Sequence, residues 1–184
     1  MNDVDLLSRA RDGDVDAFAQ LVRRYEQRVR AVLLRLLDDD RDVEEATQDT
    51  FVHAWQGLQR FRGDAAVFTW LFRIAVNEAR ARLRRKRVTT TDLDELAETA
   101  HAAADPAHGP EESAEAGELR TFLAGSIRRL PVDYRAPLVL RDVVGLSNQE
   151  VADVLQLSLA ATKSKIHRAR MQIRAELERW EAST

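Results

Sequence analysis

Hydrophobic positions recur at the helical period along most of the chain and fade over one long stretch near its middle. A short amphipathic segment, Asp3 to Arg11, carries Val4, Leu7 and Ala10 on one face. Gly13 ends it, and Asp14 or Asp16 can cap the next helix. Between Ala17 and Leu37 the apolar positions are Phe18, Leu21, Val22, Tyr25, Val29, Val32, Leu33 and Leu36, the stripe of a long core helix. Another helix spans Asp42 to Leu58. Its inner face is Val43, Ala46, Thr47, Thr50, Phe51, Ala54, Trp55 and Leu58, and its outer face Glu45, Gln48, Asp49 and Val52. A third stripe, Phe68, Leu71, Phe72, Ala75, Ala79 and Leu83, has Trp70, Arg73, Ile74 and Asn77 beside it. Arg80, Arg82, Arg84, Arg85, Lys86 and Arg87 crowd its end, where cations suit the helix dipole.

From Val88 to Gly117 the period is lost among acids, with Pro106, Gly109 and Pro110, which reads as a linker. Helical spacing returns at Glu118 to Arg129 through Leu119, Phe122, Leu123 and Ile127. A segment opened by Leu130-Pro131 then holds Tyr134, Leu138, Val139, Val143 and Val144, and Gly145 ends it. Pro137 inside it requires either a helix starting near Tyr134 under an Asp133 cap, or a kink. The pattern predicts an all-α fold of two small helical domains, 1–87 and 118–184, joined by an acidic flexible linker, 88–117.

The last part of the second domain has the clearest design. Ser147 stands three residues before Glu150, a capping-box signature, and Val151, Val154 and Leu155 supply an apolar face. Gln156-Leu157-Ser158 breaks the pattern, and Ser158 can cap the next helix. There Thr162, Ile166, Ala169, Ile173 and Leu177 share one face. Ser164, His167 and Arg168 fall opposite, with Lys163, Arg170 and Arg174 on one flank and Lys165 on the other. An apolar back, a cationic front and a capped partner helix match a helix-turn-helix that enters the major groove. The corner has no glycine, so Leu157-Ser158-Leu159-Ala160 must turn without one.

Composition narrows the chemistry. The chain has 184 residues, 45% hydrophobic and 32% charged, with a net charge of −3, which fits a soluble helical protein. Nucleic-acid binding must therefore come from local asymmetry of charge. The absence of cysteine excludes disulfides, thiolate chemistry and cysteine zinc sites. The acidic, polar start is no signal peptide, and no apolar run approaches the roughly 18 residues of a membrane span. A cytoplasmic protein without membrane insertion is expected. Asp38-Asp39-Asp40 invites a metal reading, but no spaced partner ligands accompany it, and a helix end followed by the next N-cap explains it better. The outer face of Glu45, Gln48 and Asp49 is equally consistent with plain solvent surface and with a dock for a basic partner. The Gln59-Arg60-Phe61-Arg62-Gly63-Asp64 loop, with Trp70 and Arg73, interleaves aromatics with arginines, as a single-strand binder requires.

Two blocks, DVEEATQDTFVHAWQGLQRFRGDAAVFTWLFRIAVNEARARLRRKR and LPVDYRAPLVLRDVVGLSNQEVADVLQLSLAATKSKIHRAR, in this order and separation, resemble bacterial RNA polymerase sigma factors of the extracytoplasmic-function (ECF) type. The resemblance implies a promoter-specificity factor, not an enzyme, with no cofactor or metal. Its partners would be core RNA polymerase, promoter DNA and an anti-sigma factor. It implies that Glu45, Gln48 and Asp49 grip the polymerase, and that Phe61, Ile74 and Asn77 capture a base flipped from the −10 strand with Trp70 and Arg73 as helpers. In the second domain it implies that Lys163, Ser164, His167 and Arg168 read the −35 element, with Lys165 and Arg170 on phosphates. The linker would thread the RNA exit path. Ala161, Lys163 and Lys165 depart from the family pattern, and lysine cannot make arginine's rigid fork to guanine. Two other readings are a conventional helix-turn-helix regulator that binds operator DNA without polymerase, and an acid-cluster metalloenzyme.

Overall fold

The computed structural model describes residues 2–61, 66–91 and 114–183, and these contain eight α-helices and no strand. Helix α1 (Asp3–Arg11), α2 (Val15–Leu36), α3 (Asp40–Gly57) and α4 (Val67–Thr91) form the first domain. Helix α5 (Ala114–Arg129), α6 (Val132–Leu138), α7 (Asn148–Leu155) and α8 (Leu159–Glu181) form the second. Helix α4 thus continues past Arg87 and α5 begins before Glu118. Arg62, Gly63 and Asp64, and most of the acidic stretch, lie outside the described residues.

The starts of the helices follow local chemistry. Asp14 accepts from the Ala17 N–H at 3.0 Å and so caps α2. Asp39 accepts from the Arg41 N–H at 2.9 Å and caps α3, so the acid triplet is a helix end followed by a cap. Ser147 and Glu150 satisfy both halves of the capping box on α7, and Ser158 caps α8. The segment around Pro137 departs from the first of the two expectations for it, a helix capped by Asp133. Helix α6 starts at Val132 with Pro131 at its N-cap, Asp133 makes no cap, and Pro137 lies inside it. A π-helical turn, Val139–Val143, succeeds it and leads to Gly145 at φ +84°. The missing N–H of Pro137 breaks the regular ladder just before the backbone widens.

Burial corrects three positions. Leu6, with Leu7 and Ala10, enters the core while Val4 is exposed. Trp55 is not an inner residue: it is 39% exposed and meets Phe18 edge-on with centroids 5.0 Å apart. Val143 is exposed, and Arg135 through Leu140 are buried in its stead.

The two domains share one continuous core. Leu36, Phe72 and Val76 of the first belong to the same buried cluster as Val139, Leu140, Val151 and Val154 of the second. Helix α7 packs on α4, and α5, α6 and the π turn pack on α2. A smaller cluster of Leu130, Leu138 and Ala169 ties α5 and α6 to α8. Polar contacts also cross the boundary. Arg73 donates to the Asp153 carbonyl at 3.0 Å, and Arg80 lies 3.5 Å from Asp133. Arg135, 6% exposed, donates to the Leu36 carbonyl at 2.9 Å and lies 3.4 Å from Asp38.

Candidate nucleic-acid interfaces

The helix-turn-helix is built around a corner that bends at Gln156, whose φ of 54° is the one left-handed conformation of a non-glycine residue among the described residues. The turn therefore opens at the first residue of the Gln156-Leu157-Ser158 break, one residue before the Leu157-Ser158-Leu159-Ala160 corner expected from the sequence. Past the corner, Thr162, Ile166 and Ala169 are buried, and Lys163, Ser164, His167 and Arg168 are exposed together on the opposite face. This is the arrangement the spacing predicts. Two of the flanking cations, Lys165 and Arg170, make contacts to other elements of the molecule. Lys165 sits over the Tyr134 ring with its ammonium 5.1 Å from the centroid. Arg170 makes a two-pronged contact with Asp142 at 2.9 and 2.5 Å, and this hydrogen bonding raises its pKa above the usual value. Arg170 is thus held in a fixed direction beside the exposed face.

The second surface is a cleft of about 1080 Å³ where α3 and α4 meet α7. Phe61 and Trp70 line it, tilted at 42° with centroids 4.9 Å apart. Arg60, Arg73, Ile74 and His53 complete that wall. The opposite wall is α7 and the corner: Glu150, Ala152, Asp153, Gln156 and Leu157. The structure thus brings Phe61, Trp70, Arg73 and Ile74 together. It leaves Asn77 exposed, outside the residues lining the cleft. His53, which no sequence motif singles out, bonds to Glu78 at 2.8 Å.

On the outer face of α3, Glu45 and Gln48 are exposed, and Glu45 pairs with Arg41 at 3.0 Å. Asp49 is half-buried and bonds to Arg82. Arg82 is not part of a solvated basic end. It is 7% exposed and also donates to Glu78 at 2.8 Å. Burial pulls its pKa down, but the bonds to Asp49 and Glu78 outweigh this and raise it above the usual guanidinium value. The Glu78–Arg82 spacing of one helical turn was the available signal for this clamp. Among the described residues no group of three or more potential metal ligands gathers, and no helix is long and apolar enough to cross a membrane.

Comparison with known proteins identifies the family. Residues 21–89 match the model of sigma-70 region 2, and residues 123–173 that of sigma-70 region 4. The chain is 34% identical to the RNA polymerase sigma-H factor of Pseudomonas aeruginosa over 182 residues, covering 96% of this chain and 94% of that protein. It is 35% identical to the ECF RNA polymerase sigma-E factor of Escherichia coli K12 over 178 residues, covering 94% and 93%. Among solved structures, CnrH in complex with the cytosolic domain of CnrY superposes with a TM-score of 0.71 at 30% identity, covering 96% of this chain and 97% of that one. RpoE of Bartonella quintana, in complex with the anti-sigma factor NepR, has the same fold, with a TM-score of 0.74 at 22% identity over 89% of this chain and 98% of that one. With region 2 matching α3, α4 and most of α2, and region 4 matching the helix-turn-helix, the chain belongs to the RNA polymerase sigma factors of the extracytoplasmic-function type.

Proposed function

We propose that residues 1–87 bind core RNA polymerase and melt the −10 element, that residues 118–184 read the −35 element, and that residues 88–117 connect them. The observation that carries this is the pairing of two surfaces in one chain. One is a basic recognition helix, with Lys163, Ser164, His167 and Arg168 exposed on it. The other is an aromatic and arginine wall formed by Phe61, Trp70 and Arg73. The first suits base edges in a major groove. The second suits unstacked bases and their phosphates. Lys165 and Arg170, lying at the flanks, contact phosphates and fix register, and Ile74 and Asn77 extend the strand-binding face. Glu45, Gln48 and Asp49 dock on a basic surface of the polymerase.

The chain acts as an initiation factor in the cytoplasm and has no catalytic role, metal or cofactor of its own. Its inhibitor is an anti-sigma factor, a class of partner bound by the Bartonella relative. The decisive experiment is transcription from a promoter library with purified core polymerase, with and without this chain. Starts at a common upstream motif should appear only with the chain present. Footprinting of duplex DNA by the chain alone, with no polymerase-dependent starts, would instead identify a conventional regulator.

A further inference from the structure

We propose that Asp142 and Tyr134, which lie outside the recognition helix, are positioning residues for −35 discrimination: they aim the two cations that seat α8 between the phosphate backbones of the groove. This inference rests on the assignment of α8 to the −35 element and of Lys165 and Arg170 to phosphates. At about 100° per residue, Lys165 and Arg170 stand roughly a third of a turn to either side of the face formed by Ser164, His167 and Arg168. A major groove is about 12 Å wide, with one phosphate backbone along each flank of a helix inside it. The depth and register of the reading face are therefore set by where those two cations point.

Each cation is held in a way that leaves donors for DNA. Arg170 gives Nε and Nη2 to the two oxygens of Asp142, at 2.9 and 2.5 Å. This fork leaves the Nη1 donors, so one guanidinium can bridge the Asp142 carboxylate and a phosphate. Lys165 is steered by the face of the Tyr134 ring, 5.1 Å from its ammonium. An aromatic face attracts a cation without taking any of its three N–H groups. Asp142 itself stands on a fixed base. In the π turn the Val144 N–H reaches back five residues to the Val139 carbonyl at 3.0 Å, and the Leu146 N–H reaches the Leu140 carbonyl at 3.0 Å. Arg141 ties the exit of the turn by donating to the Leu146 carbonyl at 2.6 Å. The anchor of Arg170 is thus part of a hydrogen-bonded turn and not of a free loop.

Asp142 sets direction against attraction. Its carboxylate offsets one positive charge beside the phosphates, which weakens binding to any duplex. A residue that only stapled α8 to its scaffold would affect all duplexes alike. A residue that aims a cation favours the one duplex whose bases meet the reading face in register. The two roles therefore differ in the ratio of cognate to non-cognate affinity, and not in affinity alone.

The test measures binding of the holoenzyme to duplex DNA over a range of salt. One duplex carries the −35 motif recovered from the promoter library, and the other has that motif scrambled. Thermal unfolding first identifies the folded variants. Asp142→Asn keeps the shape and one acceptor of an exposed residue. It should lower the cognate-to-scrambled ratio about fivefold without weakening binding to the scrambled duplex. Tyr134→Leu should lower the ratio too, and Tyr134→Phe, which keeps the ring, should restore it. Arg170→Ala should reduce the salt slope by about one. In that background Asp142→Asn should change the ratio no further, because it acts through Arg170. A ratio that Asp142→Asn leaves unchanged would overturn the proposal, as would an undiminished effect of Asp142→Asn without Arg170 or a salt slope indifferent to Arg170→Ala. A Tyr134→Phe variant as poor as Tyr134→Leu overturns the part given to the ring. If the unmodified holoenzyme does not distinguish the two duplexes, the −35 assignment itself fails, and the proposal with it.

Discussion

Gln156 adopts a left-handed backbone that glycine takes at no steric cost, and its side chain is exposed. The αL conformation costs an ordinary residue about 1–2 kcal/mol, part of which glycine gives back in chain entropy. Gln156→Gly should therefore stabilise the second domain by roughly 0.5–1 kcal/mol, as urea unfolding would measure. A loss of stability would mean that the side chain makes up for its backbone. The lack of glycine in the corner was legible in the sequence, but which residue would carry the turn was not, because any of four or five adjacent residues could have closed it. Arg168 was legible in full. Its place opposite Thr162, Ile166 and Ala169 follows from helical spacing, and it is exposed. Arg168→Ala should weaken promoter binding by the holoenzyme by about 1–3 kcal/mol at cognate −35 sequences and less on scrambled ones. Equal losses on both would make it a phosphate contact.

At the scale of elements, α3 and α4 are joined by more than their apolar faces. Arg82 leaves the basic end of α4 and turns inward between Asp49 and Glu78. Arg84, two residues on, is exposed. Composition treats the two as equivalents, and only the neighbouring helix separates them. Arg82→Ala should cost about 2–3 kcal/mol because it takes the guanidinium from Asp49 and from Glu78, which is 15% exposed and keeps its bond to His53. Arg84→Ala should stay within about 0.5 kcal/mol. Denaturation of both variants under one condition decides the matter, and similar losses would refute the buried clamp. Arg82→Ala should also weaken polymerase binding beyond its effect on folding, since Asp49 loses the group that holds it.

For the whole molecule, the titrating groups set a window of stability. Backbone hydrogen bonds at the helix starts hold the Asp14 and Asp39 carboxyls below their ordinary 3.8, and those at Ser147 hold Glu150 below 4.5. A lowered carboxyl contributes stability that is complete above its unfolded pKa and is lost as pH falls through the folded value. The thermal midpoint should therefore drop as pH falls below about 4.5, and Glu150→Gln should flatten part of that drop. At the alkaline end, burial and the bond to Asp3 raise the Tyr25 phenol from 10.0 to about 12. Its contribution is complete below pH 10 and is lost as pH rises toward 12. A midpoint flat across both ranges would contradict these assignments.

The sequence by itself determined most of the helices, the caps at Asp14, Asp39, Ser147 and Ser158, and the outward face of α8. Each depends on residues within one or two turns of each other, where period and side-chain hydrogen bonding leave few alternatives. It also determined family membership, because two separated blocks in order are specific. Only the tertiary structure decided that Arg82 and Arg135 are buried, that Trp55 is partly exposed, and that α7 forms the wall of the cleft opposite Phe61 and Trp70. Those facts depend on partners 33 to 99 residues away in the chain. A local pattern specifies which face of a helix is apolar, but not which other face it will meet.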